Sequence, residues 1–373
     1  MSIIVFIILL SFLVIIHELG HYLAAKKFKV TVEEFGLGYP PRAKALFTKW
    51  GTLFSLNWIP VGGFVKLLGE DGPEESAGTS TKGVPFYTRP IWQRLVIILA
   101  GATVNFVFGV LAFSIVFSIM GIPKVIDTPV IKDIAPGSPA VVAELSPGDT
   151  VQAVTYQGET ITVTSTQQVI DAVKRYQGQE ITLTILPSCT DDCASVVPET
   201  HAVTPRTAAD TPAGEGSLGI VFDVKIENQF YPWPEQIARG AWFGLQEAFY
   251  LGVATIETLR TVLVNLITKG QMSGQLMGPV GIVHEAHRTN LFGQGWLVLL
   301  RVTGLLSVSL AVMNILPIPA LDGGRAVFIA LEGLLGKKRI STIENKAHYV
   351  GYIILLALII GVTANDIWKI IGS

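Results

Sequence analysis

His17-Glu18-Leu19-Gly20-His21 has the residue types and spacing for metal-assisted hydrolysis. A separation of four places both imidazoles on one face of a helix, one turn apart, where they can share a tetrahedral zinc. The glutamate between them projects beside the pair and can take a proton from water that the metal activates. Two histidines need a third ligand. The candidate is Asp322, in Asn314-Ile-Leu-Pro-Ile-Pro-Ala-Leu-Asp-Gly-Gly-Arg325. Two prolines and two glycines break a helix there, and a broken helix at membrane depth is tolerated only where it lines protein or a cavity. The blander alternatives are two interfacial histidines at a helix end and a solvated Asp in a helix-ending loop. Neither gives Glu18 anything to do.

These residues must be positioned by membrane helices. Half of the 373 residues are apolar and 15% are charged, whereas ordinary globular domains carry roughly 25% charged residues. The mean hydropathy of +0.52 agrees. Four stretches carry the excess: Ser2 to Ile16, continuing through His17 to Ala25; Leu95 to Met120; Trp296 to Leu316, with the one charge Arg301; and Tyr349 to Val362, extended to Ile371. A crossing helix needs about 20 residues, which the fourth stretch reaches only with its flanks. The first stretch lacks a basic n-region, and Lys26, Lys27 and Lys29 follow its apolar run. It therefore reads as a retained span and not as a cleaved signal peptide.

Ten Lys and Arg residues lie between Lys26 and Arg94, and Lys337, Lys338, Arg339 and Lys346 follow the third span. Both loops are therefore expected on the cytoplasmic side. Both termini and the segment from Gly121 to about Gly295 then lie outside. This topology brings His17, His21 and Asp322 to one depth, at the cytoplasmic ends of spans one and three. Cys189 and Cys193 fall outside, where a disulfide can persist; two unpaired thiols fit the sequence equally well. No basic cluster with interleaved aromatics supports a nucleic-acid partner.

The inner loop reads as β-like from Glu34 to Leu68, with Ala45 to Thr48 and Thr52 to Leu56 flanking the turn Lys49-Trp50-Gly51. From Gly69 to Gly83 it is acidic, small and linker-like. The outer segment opens with a compact α+β domain: strands at Val130 to Ile134, Val151 to Tyr156, Ile181 to Leu186 and Leu218 to Val224, and a helix at Thr166 to Tyr176. Residues Glu235 to Ile267 recur at helical spacing but include Glu247, Glu257 and Arg260. A crossing helix would bury those charges at about 2.5–3.5 kcal/mol each, so an amphipathic helix at the outer membrane surface is expected.

The pairing of HELGH in the first span with NILPIPALDGG at the third resembles the site-2 protease family of intramembrane metalloproteases. A PDZ-like insert makes it most similar to the bacterial regulator-of-sigma-E protease branch. Ala100-Gly-Ala-Thr-Val-Asn105 matches the family motif in the second span, with Ala102 where proline is usual, and Gly278-Pro-Val-Gly281 matches a segment before the third. Glu34 to Lys66 is similar to the family's membrane-associated β-loop. Pro129 to Asp223 resembles one PDZ domain, with Ser217-Leu-Gly-Ile220 as its carboxylate-binding loop, where the best-known members carry two.

The resemblance implies a polytopic α-helical membrane protein with four transmembrane helices, a membrane-associated β-loop and one extracytoplasmic α+β PDZ domain. The expected plan is span one at 1–25, inner loop at 26–90, span two at 91–120, PDZ domain at 121–230 and surface helix at 231–270. A loop at 271–295, span three at 296–325, an inner loop at 326–346 and span four at 347–373 complete it. It further implies zinc on His17, His21 and Asp322, with Glu18 as general base. Asn314, Asn105, Gly62 and Gly63 would contact the substrate, and Leu218 and Gly219 would bind a peptide C-terminus. The substrates implied are single-pass proteins of a bacterial inner membrane, notably anti-sigma factors already trimmed outside. Clearing leftover signal peptides would use the same site, whereas a non-catalytic PDZ receptor has no use for Glu18.

Other residues carry less. His284-Glu285-Ala-His287 lacks the four-residue separation and sits outside. His201 lies in a polar loop, and His348 reads as an interfacial side chain opening the fourth span. Trp58, Trp92, Trp296 and Trp368 fall near expected membrane boundaries as aromatic anchors.

Overall fold

The computed structural model describes residues 2–70, 83–188, 197–212, 214–269 and 278–372. Cys189 and Cys193, and most of the acidic linker, lie outside the described residues. In chain order the elements are α1 (Ser2–Lys27), β1 (Val32–Lys49), β2 (Thr52–Leu67), α2 (Ile91–Met120), β3 (Ile122–Ile126) and β4 (Ile131–Ile134). Then come α3 (Pro139–Val142), β5 (Thr150–Tyr156), β6 (Glu159–Thr162), α4 (Thr166–Arg175), β7 (Ile181–Leu186), β8 (Glu199–Val203), β9 (Ile220–Phe222) and β10 (Lys225–Gln229). The chain closes with α5 (Glu235–Lys269), α6 (Pro279–Arg288), α7 (Trp296–Ile315), α8 (Asp322–Leu335) and α9 (Lys337–Gly372). Two compact units result: a helical unit of Met1–Gly121 with Tyr231–Ser373, and a β-rich unit of Ile122–Phe230.

Among the described residues, four helices are long and apolar enough to cross a membrane: Ile3–Lys27, Ile91–Met120, Trp296–Ile315 and Lys346–Ile371. They coincide with the four apolar stretches of the sequence. Small residues let them approach closely, as in membrane bundles generally. A Cβ on Gly20 would lie 2.5 Å from the Ala100 carbonyl oxygen, and one on Gly109 would lie 2.4 Å from Val308 Cγ2. Ser307 Oγ donates to the Asn105 carbonyl at 2.8 Å, tying α7 to α2.

Residues 231–270 depart from the expected surface helix. α5 forms, but it packs antiparallel against the second half of α2, from Ser118 back to Phe106. Cβ atoms on Gly240 and Gly244 would lie within 2.4 Å of Ser118 Oγ and 2.5 Å of the Ser114 nitrogen, respectively. Ala248 is fully buried with Phe113 and Phe117, and Phe249 meets Phe106 edge-on at 5.4 Å. Gln236 donates from Nε2 to the Phe117 carbonyl at 2.9 Å, satisfying one of the carbonyls left over at the end of α2. The physical reason is the stripe Gly240, Gly244, Ala248, Gly252, every fourth residue, which brings backbones together along one face. Glu257 and Arg260 stay exposed and Glu247 half-buried on the rest of the helix, so the packing buries none of the charges completely.

The inner β-segment consists of two long strands, Val32–Lys49 and Thr52–Leu67, over nearly the extent that reads as β-like in the sequence. β1 and β2 are joined at Trp50-Gly51, both at positive φ (53° and 73°). That is the two-residue turn whose twist suits a hairpin. Both strands then bend. Residues 34–37 pair on two sides, with 63–66 in antiparallel register and with 53–56 in parallel register, while 44–49 pairs with 52–56. The resulting order is 44–49, 52–56, 34–37, 63–67, with 63–67 on an outer edge. Gly38 (φ 82°) and Gly62 (φ 75°) supply the bends.

The β-rich unit has a four-stranded antiparallel sheet, β6-β5-β7-β8, and a β4–β9 pair, bridged by Val130 and Thr150. Ile131, Val154, Val169, Ile181, Leu183 and Ile185 fill its core. Ser165 caps α4 by accepting from the Gln168 amide.

Candidate metal centre

His17 and His21 sit one turn apart on α1, and Asp322 is the first residue of α8, after the broken segment that ends α7. The chain brings all three together. Asp322 Oδ2 is 3.0 Å from His17 Nε2 and 3.3 Å from His21 Nε2, and the two Nε2 atoms are 3.1 Å apart. A tetrahedral zinc with bonds of about 2.0–2.2 Å separates its donors by about 3.4 Å. The observed triangle has that size. Asp322 Oδ2 is buried and takes no hydrogen bond, so the carboxylate converges on the two imidazole nitrogens without being satisfied by them. A cation resolves that convergence, and the nitrogen-and-oxygen donor set suits zinc.

The surroundings are built for the same end. His21 Nδ1 donates to the Ile97 carbonyl at 2.9 Å, which leaves the Nε2 lone pair facing inward. Gly101, one turn further along α2, leaves the space for both rings. A Cβ there would lie 2.4 Å from His21 Nε2 and 2.8 Å from His17 Nε2. Asn105 lies one more turn along that face. It is fully buried, and both polar atoms of its side chain lack a hydrogen-bond partner.

Glu18 is half-buried on the side of α1 that meets the inner β-segment. Gly63 packs there, its Cβ position 3.8 Å from Glu18 Cγ, and the Gly62 amide donates to Ser11 Oγ at 3.4 Å. Of the residues expected to act on substrate, the structure therefore gathers Glu18, Gly62 and Gly63 on one helix face and sets Asn105 on the α2 face beside the histidines. Asn314 lies in the last turn of α7. Leu218 and Gly219 lie in the β-rich unit, where Gly219 (φ 72°) opens β9 and Leu218 is buried. Between β9 and α4 runs a groove lined by Val169, Val173, Leu218, Ile220 and Phe222. His284 and His287 lie on α6, exposed, and are not part of the metal cluster.

Sequence reasoning did not single out Gly20, Gly101 or the Ile97 carbonyl. Glycine inside two apolar helices was the available signal, since it costs helix stability unless close approach requires it.

A family model described as peptidase family M50 matches residues 5–358. A relative from Agrobacterium fabrum, whose name assigns it provisionally as a zinc metalloprotease, is 29% identical over 383 residues, covering 98% of this chain and 96% of its own. Zinc metalloprotease RasP of Geobacillus kaustophilus is 27% identical over 442 residues, covering 99% of this chain and 98% of its own. A solved PDZ domain of the carboxy-terminal protease from Vibrio cholerae, in complex with peptide, covers 23% of this chain and 88% of that chain at 20% identity, with a TM-score of 0.19. The match over nearly the whole chain, together with the helical bundle around the His17, His21 and Asp322 cluster, places this chain in peptidase family M50, as a multi-pass, zinc-dependent membrane metalloendopeptidase.

Proposed function

We propose that the enzyme cleaves transmembrane segments of single-pass membrane proteins, with zinc on His17, His21 and Asp322 and with Glu18 as general base. One observation carries the reading: the outer edge strand 63–67, opening with Gly62-Gly63, lies against α1 beside Glu18. A helical substrate hides its carbonyls in hydrogen bonds to residues four further on and must unwind before it can be cut. An unwound segment pairs with an open strand edge through its own backbone, whatever its side chains. That edge therefore holds the peptide extended next to the base.

Zinc supplies Lewis acidity toward water and the peptide carbonyl. Glu18 takes the proton from the attacking water on its carboxylate and returns it to the leaving amine. The buried, unpartnered Asn105 amide and the amide of Asn314 hydrogen-bond the substrate backbone.

Residues 121–230 act as a PDZ domain. The groove between β9 and α4 takes an apolar C-terminal residue, and the Ser217-Leu-Gly-Ile220 loop beside it receives the carboxylate. The substrates are anti-sigma-factor-type regulators already cut on the outside, in a bacterial inner membrane, with the zinc site toward the cytoplasm. Clearance of remnant signal peptides uses the same site and is the second reading.

The test uses purified enzyme and a single-span model substrate, with and without a bulky outer domain. The trimmed form is cleaved and the bulky form is not; deletion of residues 129–223 makes them equal. Equal cleavage of both by the intact enzyme would mean that residues 129–223 do not screen substrates by the size of their outer domain. Glu18→Gln abolishes cleavage with zinc retained, and a wild-type rate in that variant ends the general-base assignment. Cysteine labelling at Ser76 from inside and at Thr211 from outside checks the orientation.

A further inference from the structure

The third zinc ligand enters on a strained turn. Ala320, two residues before Asp322, has φ 80°, a conformation that residues other than glycine rarely adopt. Strain of this kind persists only where the surroundings impose it. Here the surroundings are one face of α9. The Ala320 amide donates to His348 Nδ1 at 2.9 Å. One turn on, Gly351 lies flat against the same turn, and a Cβ there would come within 2.5 Å of the Pro319 carbonyl oxygen. One turn back, Glu344 Oε1 lies 4.0 Å from His348 Nε2 and 3.9 Å from Arg325 Nε. Arg325, which follows the two glycines after Asp322, also donates to Glu70 at the end of the inner β-segment, at 2.6 Å. The His348 ring is held against Phe328 of α8 at 5.7 Å.

We infer that His348 is a positioning residue for Asp322: its hydrogen bond to the Ala320 amide holds the left-handed turn that aims the carboxylate at the two histidines. The inference rests on the metal-site reading above. His348 touches no reacting atom in this scheme and acts through the backbone. Without the bond, Ala320 relaxes toward negative φ, and the following two residues rotate Oδ2 out of the triangle.

Three variants of the full chain test this: His348→Leu, which fills the space against Phe328 but accepts nothing; His348→Asn, whose Oδ1 accepts near the Nδ1 position; and the double variant His348→Leu with Ala320→Gly. Zinc affinity is read by competition with a chromogenic chelator, and kcat and KM with a single-span model substrate. His348→Leu is expected to hold zinc about tenfold more weakly and to lose kcat by a similar factor, with KM within twofold. His348→Asn stays within about threefold of wild type. Ala320→Gly restores the Leu variant to the same range, because glycine adopts positive φ freely. Wild-type zinc affinity in His348→Leu overturns the proposal. So does a loss that Ala320→Gly does not repair, since helix packing would then be at fault and not the turn. Glu18→Gln separates this from the parent reading: it stops cleavage without changing zinc affinity, and its failure bears on the base alone.

Discussion

The helical unit and the β-rich unit keep their buried polar groups for different purposes. In the helical unit, polar side chains interrupt apolar helices, and most are pinned by one specific partner. Arg94 of α2 donates to Glu332 of α8 at 2.7 Å. Asp366 of α9 accepts the amides of Gly278 and Gly281 at 3.2 and 2.8 Å. His17, His21 and Asp322 face one another. In the β-rich unit the core is apolar, and its buried Asp149 ties turns together, accepting from the amides of Ser146 and Ser188 at 2.8 and 3.0 Å. The difference follows from solvent. A polar side chain in a membrane helix is expensive, so its presence declares a use. A sheet whose core is apolar keeps its polar groups for turns, so a groove beside it, such as the one between β9 and α4, shows in topology and not in residue type.

The sharpest way to break this contrast is to remove space instead of a ligand. Gly101→Ala puts a methyl group 2.4 Å from His21 Nε2. Zinc content is expected to fall to background and cleavage by at least about a hundredfold, roughly 2.7 kcal/mol of barrier. Metal analysis of the purified variant checks it, and full zinc occupancy would show that the cradle tolerates a side chain.

In the β-rich unit the matching experiment is Val173→Glu, in the groove wall. It is expected to weaken a peptide ending in a free apolar residue by about tenfold, with zinc content unchanged. Fluorescence anisotropy on the whole chain reads this, with a C-terminally amidated peptide as the control. Equal affinity for the amidated and free peptides would mean that the carboxylate is not what the groove reads.

That contrast also explains what the sequence made legible. HELGH and Asp322 stood out because polar residues are rare in apolar stretches, and the four spans because 20-residue apolar runs have few other readings. The path of α5 was hidden. Its charges argued for a surface helix, while the cue that prevailed was the stripe of small residues from Gly240 to Gly252, which contributes little hydrophobicity. The bent pairing of 34–37 with two partners was hidden as well, since register set by Gly38 and Gly62 leaves no periodic trace. His348 read as an interfacial residue because nothing near it in sequence names its partner; Ala320 becomes a neighbour only when the chain folds.

A smaller effect tests whether the remaining buried acid of α9 behaves as the comparison requires. Asp366 serves as an N-terminal cap for α6 from another helix. Asp366→Ala is expected to cost about 1–2 kcal/mol of local stability, seen as faster hydrogen exchange across 279–288 with zinc retained. Lost zinc in that variant would instead join α6 to the metal site.

The smallest effect is expected where the two styles meet, on the inner β-segment. Glu34 is buried beneath Arg42, which donates to Oε1 at 2.9 Å and also contacts Oε2. Burial alone would raise the Glu34 carboxyl, but the hydrogen bonds and charge of Arg42 outweigh it and hold the group below its ordinary value. A carboxyl lowered in the folded state stabilises above the unfolded value, about 4.3 for Glu. That contribution disappears as pH falls through the folded value. Arg42 is half exposed, so solvent screens the pair to about 0.2–1 kcal/mol. Hydrogen exchange of residues 34–37, corrected for the intrinsic pH dependence of exchange, should lose protection as the pH falls below the ordinary Glu value of about 4.3. The loss should be smaller in Arg42→Ala, where less stabilisation is present at neutral pH. Identical profiles in the two proteins would mean that the strand pairs alone hold this sheet. The ion pair would then belong with the solvated charges of a soluble surface and not with the pinned polar groups of the helices.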